Sequence, residues 1–445
     1  MAKKKRPTVV ARAAPDLGAV VAAAALAAVL AGTALAVDTA AGAAFDAPKR
    51  LIALAGTALA AAAAFAVGGR ASAPARPWRE GPALRRAAFV LGAAALFAAL
   101  LSALASPRRA ISLDAMRAVA LLALILPLGA SRIAARGRAW LAGVFLAASA
   151  INAFVAVLES RDVFRPFALE IVGWRQDTGA YAGNVGYLAI TLALASVLAL
   201  GVVLEARRPL VRFLAGAALP LYALALVVNQ NLTALTALLA GAAVLLVLRF
   251  RARAALPVAA AVAAVLIAVA AYPPLSNRAR ELSAAVRTRN WDALVSFRGG
   301  PWATAVEMIR ERPLSGFGPG TFAAEYVPHR LSAEIRARRR FVSPLITSSY
   351  AEAHSDYLQV FCDAGVPAGI LALSAAGCLG AAIGAAAWRR RAPEAIVLAA
   401  LLSTGAAAAL TWFPLQRPVT AVPLLLAAGR AWKICGEPKP SGDRT

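Results

Sequence analysis

The sequence predicts an all-α polytopic membrane protein of about twelve transmembrane helices, with one long outer loop containing amphipathic helices. Three observations predict it. Hydrophobic residues make up 61% of the 445, and the mean hydropathy is +0.69. They fall in blocks of roughly 20, enough to span ~30 Å of hydrocarbon at ~1.5 Å per residue. Between blocks, arginine and lysine gather in every second connection, the asymmetry that sets orientation. A soluble protein of this size does not carry so much apolar residue in such long runs, and no nucleic-acid partner is expected although the net charge is +25.

The apolar blocks run over 17–37, 51–68, 86–105, 117–134, 139–158, 185–204, 211–229, 232–249 and 255–272, then 357–387, 393–412 and 419–433. The opening "MAKKKR" invites a signal-peptide reading, with "ALA" at Ala34 to Ala36 as the cleavage site. The run from Leu17 to Val37 is too long for such a core and many spans follow, so it is expected to be a retained first helix. With the N-terminus inside, the inner segments carry Lys3 to Arg6, Arg85 and Arg86, Arg132 to Arg138, Arg207 to Arg212, Arg249 to Arg253, and Arg389 to Arg391. Opposite short loops such as "VVNQN" at 227–231 and "FPLQRP" at 413–418 are poorer. An even number of spans puts both termini in the cytoplasm. The organisation expected is nine spans over 1–272, a large external loop over 273–356, and three more spans with a cytoplasmic tail over 357–445.

The external loop is the only long hydrophilic stretch. Arginines outnumber its acids and culminate in "RARRR" ending at Arg340; loops this long are exempt from the orientation rule. "WATAVEMIRER" has the period of an amphipathic helix lying along the surface, and "SGFGPGTF" reads as a tight glycine-driven turn. Its glycines do not follow a strand as a nucleotide-binding loop requires. Cys362, Cys378 and Cys435 show no paired spacing, so neither a disulfide framework nor a zinc site is indicated.

Two groups of residues could carry chemistry. His354, one of two histidines, lies at the mouth of a membrane span between Glu352 and Asp356. An imidazole suits general-base work on a hydroxyl; the alternative is a helix N-terminal residue facing water, with Ser355 or Asp356 as the cap. Glu352, His354 and Asp356 also form an E-x-H-x-D string, but no second histidine or acidic cluster completes a metal site. The second group is the arginines: Arg298 in "FRGGPW", with Arg287, Arg289, Arg310, Arg312 and Arg330. Guanidinium groups pair naturally with phosphate, although "RARRR" is accounted for by solvation or lipid headgroups. Cations and a histidine on one external loop favour an anionic substrate handled at the membrane surface, such as a pyrophosphate-linked lipid.

These residues resemble a known family. "AHSDYLQVFCDAGVPAGI" is similar to the signature of the O-antigen ligase and polymerase superfamily of bacterial polytopic glycosyltransferases, with Asp363 where glutamate is usual. "RGGPWATAVEMIRERPLSGFGPGTF" resembles its second element through Arg298, Trp302, Pro313, Leu314, Gly316, Gly318, Gly320 and Phe322. "YAGNVGYLA" resembles a third through Gly183 and Asn184, with Gly186 in place of a common second asparagine. Relatives often carry serine-arginine-glycine where this chain has "NQNLTALTALLAG"; the alternatives are another cation, Arg298 or Arg175 in "GWRQDTG", a different substrate, or reduced activity down to a non-catalytic scaffold.

The resemblance implies metal-independent transfer of a glycan from an undecaprenyl-pyrophosphate carrier to an acceptor hydroxyl, at the periplasmic face of a bacterial inner membrane and without a cofactor. The acceptor would be lipid A core for a ligase, another lipid-linked repeat for a polymerase, or a protein hydroxyl for an oligosaccharyltransferase. It makes His354 the base, oriented by Glu352 or Asp356. Arg298 would hold the diphosphate, with Arg175, Arg310 and Arg312 as further candidates, and Gly316, Gly318 and Gly320 would form a structural turn. A transporter is the competing class, disfavoured because the spans themselves carry few ionisable groups.

Overall fold

The computed structural model describes residues 17–66, 81–166, 178–341 and 350–437, and no strand occurs among them. The helices are α1 (Leu17–Leu35), α2 (Asp46–Ala66), α3 (Ala83–Ala105), α4 (Arg109–Ala123), α5 (Ile125–Ala130), α6 (Arg132–Glu159), α7 (Val185–Glu205), α8 (Pro209–Asn229) and α9 (Leu232–Phe250). They continue with α10 (Ala255–Ala271), α11 (Pro273–Arg287), α12 (Trp291–Leu294), α13 (Gly299–Glu311), α14 (Phe322–Ala337), α15 (Asp356–Arg390), α16 (Pro393–Ala409) and α17 (Pro418–Cys435).

Among the described residues nine helices are long and apolar enough to cross a membrane: α1, α2, α3, α4 joined to α5, α6, α7, α8, α9 and α15. The chain is therefore a multi-pass membrane protein. Twelve is not reached by this measure. α10 qualifies only together with α11, from which it bends by 97° at Tyr272 and Pro273, and α16 has only 17 residues. α17 carries Arg430 and Lys433 near its end, which dilutes its hydropathy. The block expected at 117–134 instead begins at Arg109 and breaks at Leu124.

α7 lies at the centre and is the most buried span. Where α5 and α17 cross, a side chain on Gly129 would strike the Leu426 carbonyl and one on Gly429 the Leu126 carbonyl. Small residues let membrane helices approach this closely.

The helix ends sort into two groups. At one end Arg251 bonds the Trp388 carbonyl, Arg249 pairs with Glu205, Arg430 and Arg138 converge on Glu394, and Arg85 bonds the Trp432 carbonyl. This end collects the basic connections, as the alternation in the sequence predicts. At the other end Lys49 bonds the carbonyls of Ala36 and Tyr181, and Asn152 bonds the Ala34 carbonyl. The loop helices α11 to α14 join this second end.

α15 is two helices joined at Gly365, whose φ of 83° and ψ of 168° are non-helical. The opened backbone is taken up by the glycine turn before α14. Phe317 N–H donates to the Cys362 carbonyl (3.0 Å), Gly318 N–H to Asp363 (2.7 Å), and Val366 N–H to Pro313 (2.7 Å). Gly316, Gly318 and Gly320 all have positive φ, a region that costs L-residues roughly 1–2 kcal/mol. A Cβ on Gly316 would also fall onto the Asp363 carbonyl. Ser102 and Ser106 close the other side through the Asp363 and Phe317 carbonyls. The turn thus plugs a break in a spanning helix, replacing backbone bonds that lipid could not supply.

Candidate active site

His354 immediately precedes α15. Ser355 is the cap, as one sequence reading expected: its Oγ accepts from Leu358 N–H (3.4 Å) and donates to the Ala409 carbonyl (3.2 Å). His354 itself does not face open water. Its backbone sits at φ 54°, a conformation that costs a non-glycine residue of order 1 kcal/mol and concentrates at functional sites. Trp302 Nε1 holds it by donating to the His354 carbonyl (3.3 Å). Three rings approach the imidazole edge-on, Tyr350 at 5.3 Å, Trp412 at 5.4 Å and Phe413 at 4.9 Å between centroids. Trp412 and Phe413 stack on each other at 4.9 Å. His354 Nδ1 is buried without a hydrogen-bond partner among the described residues.

Burial in this enclosure pushes the imidazole down to about 3, and the charges of Arg298 and Arg417 push the same way. At neutral pH the ring is therefore neutral and able to accept a proton. The enclosure depends on α7. Asn184 caps that helix, accepting from Gly186 N–H (2.8 Å) and Tyr187 N–H (3.4 Å). A Cβ on Gly186 would lie in the Trp412 indole, so the glycine that departs from the expected second asparagine makes room for a wall of the site.

Two arginines flank the enclosure. Arg298 immediately precedes α13, its guanidinium carbon 5.4 Å from the Trp412 ring centroid. Arg417 is buried between the carboxylates of Glu352 and Asp46, and it lies over the rings of Tyr187 (4.8 Å) and Phe413 (5.5 Å). Burial raises Glu352 above the ordinary carboxylate range, with Arg417 opposing the shift.

The orienting role expected of Glu352 or Asp356 is not what the structure arranges. Glu352 is engaged by Arg417. Asp356 Oδ2 accepts from Leu415 N–H (2.8 Å) while its own N–H donates to the Trp412 carbonyl (3.1 Å). Both carboxylates therefore hold the Trp412 to Arg417 turn against the His354 loop. The E-x-H-x-D string does not converge, because the backbone turns at His354 (φ 54°) and α15 begins at Asp356, so Glu352 and Asp356 reach other partners. No three His, Cys, Asp or Glu side chains among the described residues are grouped to hold a metal ion.

The arginines expected to act together are also dispersed. Arg310 lies three turns along α13 from Arg298, roughly 18 Å by helix rise, and pairs with Glu307 at 2.7 Å. Arg312 lies over the Phe317 ring at 5.2 Å. Both belong to the packing of the loop domain. Arg175 falls outside the described residues. The glycine turn contacts the α15 break and α4.

Motif reasoning passed over two residues. Arg417 is quoted within "FPLQRP" yet carries no motif; its only signal was a charge in an otherwise charge-poor short loop. His329 is buried in α14, with Nδ1 2.7 Å from the Glu325 carbonyl and Nε2 3.1 Å from Glu311 Oε2.

The stretch 217–373, from the middle of α8 into α15, matches the family model described as O-antigen ligase. It contains Arg298, the glycine turn and His354, whereas Asp46, Asn184, Trp412 and Arg417 come from outside it. None of the curated proteins compared matches the chain. The domain at 217–373, which encloses the histidine and the arginine that the geometry brings together, is similar to the O-antigen ligase family.

Proposed function

We propose that the protein transfers a glycan from an undecaprenyl-pyrophosphate carrier to an acceptor hydroxyl at the periplasmic face, as an O-antigen ligase does, without a metal ion. The observation that carries this reading is the enclosure itself: a neutral imidazole with an unclaimed nitrogen shares an aromatic box with Arg298. His354 takes the acceptor hydroxyl proton as the oxygen attacks the anomeric carbon. The bond from that carbon to the phosphate oxygen breaks, and its electron pair leaves with the carrier diphosphate. Arg298 meets the charge that develops there, the electrostatic contribution such a leaving group needs most.

The depressed affinity of His354 for protons fits an ordered cycle. In the free protein burial, reinforced by the two cations, keeps the ring neutral. A bound diphosphate offsets their charge and favours the imidazolium at the moment of transfer. Arg417, shared between two carboxylates, fixes the loop that carries His354 and does not serve as the diphosphate ligand.

The test is a transfer assay in proteoliposomes containing an undecaprenyl-pyrophosphate glycan, with EDTA present and lipid A core, lipid-linked repeat and peptide acceptors supplied separately. Transfer to one acceptor with release of carrier diphosphate is the expected outcome, and the acceptor used separates ligase, polymerase and protein transferase. Donor left intact with all three acceptors would overturn the reading.

A further inference from the structure

α14 is built inside out. On an ordinary surface helix the charges face water and the apolar residues face the core. Here the inward face carries Glu325 and His329 beside Phe322, Tyr326 and Ala333, and its ionisable groups are engaged by neighbours: Glu325 by Arg108 (3.0 Å), His329 by Glu311 (3.1 Å), Arg330 by Glu334 (3.1 Å). The outward face reads Ala323, Ala324, Val327, Pro328, Leu331, Ser332 and Ile335. Val327 is 45%, Leu331 54% and Ile335 78% exposed, at a spacing of four that stacks them in one line. α14 is not among the helices able to span a membrane, so insertion as a span does not account for this face.

Three observations indicate what covers it. The first turns of α14 are fastened to the membrane domain, because Arg108 lies at the corner between α3 and α4 and the preceding glycine turn is wedged into the break of α15. Leu314 in that turn is 78% exposed, a leucine presented outward beside a spanning helix. The apolar line then runs out at the C-terminal end of α14 into exposed Arg338 and Arg340. An apolar stripe ending in cations matches a bilayer surface, acyl chains under the stripe and headgroup phosphates at the arginines. A second copy of this face would instead set a chain of net charge +25 against itself.

We infer that the outward face of α14 lies on the lipid bilayer at the end of the molecule that carries His354, with Val327, Leu331 and Ile335 in the interface and Arg338 and Arg340 on anionic headgroups. The inward face of the same helix presents Tyr326 to Tyr350 (5.4 Å between centroids), and Tyr350 in turn packs on His354. One helix would therefore join the lipid surface to the wall of the candidate active site.

The test uses the full-length chain in vesicles, spin-labelled in separate Leu331→Cys and Ile335→Cys variants, with Arg287→Cys as a solvent reference and the unlabelled parent correcting for its native cysteines. Collision with oxygen exceeding collision with a water-soluble nickel chelate at 331 and 335, and the reverse at 287, is the expected result. On vesicles containing phosphatidylglycerol, Arg338→Gln with Arg340→Gln should shift both labels toward the chelate; on purely zwitterionic vesicles it should shift neither. Labels at 331 and 335 reached by the chelate as readily as at 287 would overturn the proposal. So would labels immobilised and reached by neither collider, which would mean a protein contact. An unchanged shift in the double glutamine variant would remove the headgroup assignment.

Discussion

The two histidines of the long connection between α10 and α15 occupy opposite environments. His329 sits among carboxylates, both ring nitrogens within bonding distance of an oxygen, with Phe317 edge-on at 4.7 Å. His354 sits among aromatic rings and cations, on a left-handed backbone, with one nitrogen buried and unclaimed. Burial alone therefore does not mark a reactive histidine. A side chain whose lone pairs and protons are already used is a fastener, whereas one held in place by its backbone and its ring faces keeps its nitrogen for a substrate.

The largest expected effect separates the two. His354→Ala should lower transfer by roughly 10²–10⁴-fold, the usual share of a general base, while donor binding survives. His329→Gln should leave the turnover of folded protein within a few-fold and instead lower its melting temperature. Equal losses of turnover in both variants would erase the contrast.

The next effect concerns what holds the His354 box together. Arg417→Ala strands Glu352 and Asp46, and breaking such a buried pair costs about 3 kcal/mol. The drop should appear as a lower melting temperature in detergent. Combining Arg417→Met with Glu352→Gln and Asp46→Asn should recover most of it, because the stranded charges are gone. A triple variant as unstable as Arg417→Ala would show that the ion pairs are not what fixes the loop.

The smallest effect is a dependence on pH. His354 is pushed down to about 3 from an ordinary 6.5, so as pH falls the unfolded chain takes the proton first. Its contribution to stability is fully present above about 6.5 and is lost progressively toward 3. At about pH 5.5 the wild type should have lost about 1.4 kcal/mol more than His354→Gln, relative to neutral pH. Taking the difference between the two proteins cancels the opposing titration of Glu352. Parallel stability curves would mean that His354 is protonated in the folded state.

Much of this architecture was legible because it follows from local chemistry. Spans show as runs of apolar residues, and their ends as clusters of arginine. The glycine turn was visible as "SGFGPGTF" because positive φ selects glycine, and the capping of α15 by Ser355 follows the ordinary preference for serine at that position. The twelve-span count was less secure, since α10, α16 and α17 are short, bent or charged, and hydropathy does not report a 97° bend.

The site was only half legible. His354 and Arg298 stood out through the family resemblance, and they are close in space. Glu352 and Asp356 drew attention by lying two residues either side of His354, yet the positive φ at His354 and the start of α15 at Asp356 turn them to other partners. Arg310 and Arg312 were grouped with Arg298 for their charge, although a helix of known rise separates them. The sequence by itself determined the membrane class, the two-sided layout and the turn, because each depends on residues within a few positions of one another. Only the tertiary structure decided that Trp412, Phe413 and Arg417 wall the histidine and that Gly186 gives the indole room. Those contacts join segments more than fifty residues apart, and no local rule of spacing or propensity carries that information.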